Sequence, residues 1–149
     1  MKPQLFDYEL QEGQILLDAF DKAGIHIHTA LWLYEEERES WYLVLSTQLY
    51  DDEGSSVTYK ALLDVFRNVK PELRIEWTSL KAVGLNEKVI QALTYTQDKY
   101  SPKYLNKHLP GAYPEYLDER QVKRQVIIDE AYIYFVNKPQ QSLFDNVFN

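Results

Sequence analysis

Among the side chains able to do chemistry, His26 and His28 stand out first, two residues apart in an apolar run. On an extended strand residues i and i+2 point to one side, so both imidazoles could reach one metal ion, with a carboxylate completing the set. His108 lies far along the chain and could join only if its own segment folded over. The competing reading is two surface histidines beside Trp32. Paired carboxylates for acid–base work are available in Asp51-Asp52-Glu53 and in Glu35-Glu36-Glu37-Arg38-Glu39. Such work needs a water-poor cleft, and charge runs between apolar strands are normally solvated turns. No Gly-x-Ser-x-Gly turn marks a nucleophilic serine, and the chain has no cysteine for thiol catalysis, thiolate metal sites or disulfides. No cofactor motif is present, and the expectation is a chain without a cofactor.

Val126-Ile127-Ile128-Asp129-Glu130-Ala131 looks like the acidic strand end of an ATP-hydrolysing motor. The phosphate-holding loop that chemistry needs is missing, because the five glycines stand alone at 13, 24, 54, 84 and 111. Asp129 and Glu130 read instead as a strand edge or bulge, or as partners of Arg124.

The chain has 149 residues, enough for one domain to bury a core without staples. The aromatic share is 14%, with 12 Tyr, which suggests half-buried contact surface or aromatic core packing. A formal charge of −7, with no basic run beyond Lys123-Arg124, makes nucleic-acid binding an unfavoured expectation. No signal pattern and no long apolar run are visible. The expectation is a cytoplasmic protein away from the membrane.

The organising stretch is Ile25–Thr47: apolar runs Ile25–Tyr34 and Trp41–Thr47 around the charged string 35–40, an antiparallel hairpin. Setting Leu33 opposite Leu43, Leu31 opposite Leu45 and Tyr34 opposite Tyr42 gives one aliphatic face. The other face carries His26, His28, Trp32, Tyr34, Tyr42 and Val44, covered by the tail or left for a partner. A helix is predicted from Asp7 to about Lys22, stopped by Gly24. A second runs from Ser55 or Ser56 to about Asn68 and ends at Pro71, and a third opens at Asn86. Leu73, Ile75 and Trp77 alternate as a strand over 73–78, and 125–136 reads as the strongest strand. Residues 100–119 read as an irregular aromatic cover with a short helical turn. The fold expected is α+β: one domain, 1–149, with a mainly antiparallel sheet on the central hairpin and helices chiefly on one face.

The tail, 138–149, holds Gln140-Gln141-Ser142-Leu143-Phe144, which is similar to the short peptide by which bacterial replication and repair proteins dock on the sliding clamp. That resemblance implies a sliding-clamp-associated protein, with Leu143 and Phe144 entering a groove and Gln140 anchoring them. Gln141 departs from the usual Leu. The alternative is that Leu143, Phe144, Val147 and Phe148 pack on the protein's own sheet or on a second copy. Over the strand regions, Ala30-Leu31-Trp32-Leu33-Tyr34, Trp41-Tyr42-Leu43-Val44 and Asp129-Glu130-Ala131-Tyr132-Ile133-Tyr134 resemble small bacterial proteins of unassigned activity. That likeness implies a bacterial α+β domain and carries over no catalytic residue. The functional expectation is a domain that binds a protein, or itself as a homodimer, through Trp32, Tyr34, Tyr42, Leu143 and Phe144. A metal-binding domain or enzyme using His26 and His28 is the alternative.

Overall fold

A computed structural model describes residues 4–99, 111–118, 121–128 and 131–139. Chain order is α1 (Asp7–Lys22), β1 (Thr29–Glu35), β2 (Ser40–Ser46), α2 (Gln48–Val69), β3 (Leu80–Val83), α3 (Lys88–Lys99), β4 (Gly111–Asp118), β5 (Gln121–Ile128) and β6 (Ala131–Phe135). Strands β3-β2-β1-β6 form one mixed sheet, and β4-β5 an antiparallel ribbon. The fold is α+β, with the β1-β2 hairpin at the centre of its main sheet.

Local chemistry sets the helix ends. The Glu9 carboxylate accepts from the Phe6 backbone N–H at 3.0 Å, satisfying a donor at the start of α1. At the other end Gly24, at φ +81°, lets its own N–H reach Asp21 O and the Ile25 N–H reach Phe20 O, both at 3.0 Å. The Thr47 hydroxyl accepts from Leu49 N at 3.3 Å and caps α2 well ahead of the expected cap at Ser55 or Ser56. Gly54, at φ 88° and ψ 177°, then breaks that helix, and Thr58 donates to its carbonyl at 2.8 Å. Thus the polar stretch Gln48–Glu53, ahead of the serines, is helical up to the break.

The hairpin register differs by one residue from the aliphatic pairing. Trp32 opposes Leu43, Leu33 opposes Tyr42 and Tyr34 opposes Trp41. Ala30, Trp32, Tyr34, Trp41, Leu43 and Leu45 therefore share one core cluster with Leu16, Leu17 and Phe20 of α1 and Leu62 and Phe66 of α2. Leu31 and Val44 join the second cluster, with Ile90 and Leu93 of α3 and Ile133 of β6. Helices cover both faces, not chiefly one. With two buried faces, apolar alternation cannot choose a register, and the Glu36–Glu39 turn, with Glu39 at φ 50°, decides it. β1 also starts at Thr29, so Ile25–His28 lies outside the strand.

Residues 73–76 are extended but belong to no sheet. The side chains of Glu12 and Lys70 take the place of neighbouring strands. Glu12 Oε1 accepts from Arg74 N at 2.6 Å and Ile75 N at 3.0 Å, and Lys70 Nζ donates to Leu73 O at 3.1 Å and Ile75 O at 3.0 Å. The third strand of the main sheet is instead Leu80–Val83, parallel to β2. The expected strand 125–136 is two: β5 pairs with β4, and β6 runs antiparallel to β1 beside the hairpin. Residues 111–118, expected to be irregular, form β4; residues 100–110 of that expectation lie outside the described residues.

Candidate interaction surface and histidine cluster

The start of β1, the end of β2 and the exit of β6 meet at His28. Its Nδ1 lies 2.7 Å from Thr29 Oγ1 and 3.4 Å from Ser46 Oγ. Thr29 Oγ1 also accepts from Asn137 N at 3.1 Å, and His28 O accepts from Lys138 N at 2.8 Å. Burial pushes the His28 pKa down, a side-chain hydrogen bond with Asn137 opposes that, and charge on His26 adds to the lowering. A neutral ring with its proton on Nε2 leaves Nδ1 to accept from the Thr29 hydroxyl. Thr29 and Ser46 are fully buried, so their hydroxyls serve as ties between strands. The His26 carbonyl accepts from the Thr47 hydroxyl at 2.8 Å, tying the chain ahead of β1 to the end of β2. Among the described residues no three of His, Asp and Glu gather where a metal ion could be held.

The two carboxylate runs divide. Glu35 Oε1 accepts from Lys81 Nζ at 2.8 Å, and Asp51 Oδ2 accepts from Leu85 N at 2.9 Å beside Gly84. Both act as local ties. Asp129 and Glu130 lie outside the described residues.

Of the residues expected to meet a partner, Trp32 is 0% exposed and Tyr34 is buried beside Trp41, ring centroids 5.6 Å apart. Both belong to the core under α1 and α2 and are unavailable at the surface of this fold. Tyr42, on the opposite face, is half-buried, with the Arg38 guanidinium 6.0 Å from its ring centroid. Leu143 and Phe144 lie outside the described residues.

A different aromatic group stands at the surface. Phe6, at 56%, is the most exposed of the large hydrophobic side chains among the described residues. Its ring stacks on that of Tyr8 at 5.9 Å and 11°, and the Arg74 guanidinium sits 4.8 Å from the Tyr8 centroid. The same Glu12 carboxylate that holds Arg74 N anchors this strip to α1. Reading 73–78 as a sheet strand hid the cluster. Helical spacing gives no signal for it, because Leu17 and Phe20 stand 11 and 14 residues after Phe6, the spacing of one helix face.

No family model, curated protein or solved structure matches this chain. No helix among the described residues is long and apolar enough to cross a membrane.

Proposed function

We propose that this chain works by binding protein, either a partner or a second copy of itself, through the surface built on Phe6, Tyr8 and Arg74. The observation that carries the reading is an exposed aromatic ring held in a fixed stack rather than left loose. Phe6 rests on Tyr8, and Arg74 lies by Tyr8 with its main chain held by Glu12. Aromatic and arginine side chains dominate binding energy at protein interfaces, and a pre-ordered set loses little conformational freedom on contact. The tail around Leu143 and Phe144 enters the proposal as a second docking element, on the strength of its sequence alone.

The test compares wild type with Phe6→Ser, first by sedimentation over a concentration series, then by capture from the source-cell extract. Self-association or capture that drops about tenfold or more in Phe6→Ser supports the surface. Binding that is equal in both proteins and lost on ending the chain at Asn137 moves the function to the tail. Neither self-association nor capture in any form sinks the reading.

A further inference from the structure

The main sheet ends at β3, and that edge is closed in an uncommon way. Val83 turns its carbonyl toward the sheet, accepting from Thr47 N at 3.1 Å. Ala82, one residue back, turns both its N–H and its C=O away from β2. No strand meets them among the described residues; one hydroxyl does. Tyr59 Oη accepts from Ala82 N at 2.9 Å and donates to Ala82 O at 3.4 Å. Leu80 N, the next outward donor, is taken by Trp77 O in the short helical turn before the strand.

From this we infer that β3 is a strand-addition edge held shut by Tyr59, and that its occupant when open is β3 of a second copy. In an antiparallel sheet, a hydrogen-bonded pair of residues exchanges both N–H···O bonds. The Tyr59 hydroxyl, accepting and donating at one residue, fills that role within the chain. A residue that offers both groups outward is self-complementary about a two-fold axis, so Ala82 of the copy is its natural match. Edge lysines commonly keep like strands apart. Here Lys81 is bonded to Glu35 at 2.8 Å, so the edge carries little charge to repel its copy. The guard is therefore the Tyr59 hydroxyl, carried on a half-buried ring that is positioned edge-on against Trp77 at 6.1 Å and 84°.

No residue of the Phe6 cluster takes part, so the experiment is run in a Phe6→Ser background that removes any contribution from it. Tyr59→Phe keeps the ring and deletes the competing hydroxyl. It should tighten self-association about tenfold in sedimentation equilibrium, the scale expected for two freed hydrogen-bonding groups. Adding Ala82→Pro removes the edge donor and should return association to the starting level. Association unchanged in Tyr59→Phe, or unaffected by Ala82→Pro, overturns the inference. If circular dichroism shows that either variant does not fold, hydrogen exchange of the unmodified chain decides. Exchange of the Ala82 amide should slow as protein concentration rises, and exchange independent of concentration overturns the proposal.

Discussion

Trp32 and Tyr134, 102 residues apart, are joined by an indole N–H donated to the phenol oxygen at 3.0 Å, and Tyr134 passes its own proton on to Leu10 O at 2.6 Å. One hydroxyl thus links β1, β6 and α1 inside the core. Tyr134→Phe strands the buried indole donor and should cost about 1–3 kcal/mol. Urea unfolding should show a lower midpoint at unchanged slope.

Burial also pushes the Tyr134 hydroxyl well above the usual tyrosine range, against the opposing effect of the Trp32 hydrogen bond. The folded state therefore favours the protonated phenol. That contribution is intact below the unfolded value near pH 10 and is lost as pH rises above it. Alkaline unfolding followed above pH 10 should be less steep in Tyr134→Phe than in wild type.

Gly13 sits where α1 crosses this bond. Exchanging glycine for alanine inside a helix ordinarily gains up to about 1 kcal/mol. Here a Cβ would run into the Tyr134 hydroxyl and come within 3.1 Å of Trp32 Nε1. Gly13→Ala should instead destabilise by about 1–3 kcal/mol. The loss should shrink when combined with Tyr134→Phe, a non-additivity that a double-mutant cycle measures.

Glu12 places a buried carboxylate on two backbone donors of the 73–76 strip. Glu12→Ala should cost about 2–3 kcal/mol by leaving both unmet. Amide exchange at Arg74 and Ile75 should accelerate before the rest of the chain opens. Because Arg74 belongs to the proposed docking surface, binding through Phe6 should weaken in the same variant.

His28 governs the acid side. Its lowered pKa means the folded state favours the neutral ring, so stability should fall as pH drops below the unfolded value of about 6.5 toward the folded one. His28→Gln should flatten that slope. Exchange of the Asn137 and Lys138 amides, bonded to Thr29 Oγ1 and His28 O, reports the same loosening in wild type.

How much of this was legible depends on which interactions are local. The end of α1 was readable because Gly24 and the last helical turn are neighbours in the chain. The hairpin was readable as a pair of strands, but its register was not. Leu31 and Leu33 match Leu43 and Leu45 chemically while the second core, over α3, claims Leu31 for the other face. The alternation of Leu73, Ile75 and Trp77 correctly marked Leu73 and Ile75 as buried. It could not reveal that Glu12, 62 residues from Arg74, and Lys70 replace the strands of a sheet. Trp32, expected at the surface, is buried while Phe6 is exposed, and the two rings look alike in a sequence. Only the covering helices tell them apart.

The position of β6 beside β1 has a consequence for the chain while it is being made. β1 is complete at Glu35, yet the strand that covers its second edge ends at Phe135, 100 residues later by subtraction. At about 5–20 residues per second, synthesis of that interval takes roughly 5–20 s. Throughout it Leu31, Trp32 and Leu33 lie on a strand with one row of backbone donors and acceptors unpaired. The nascent chain must therefore spend those seconds as an incomplete sheet, its greatest exposure to mispairing coming before Tyr134 arrives to close the core.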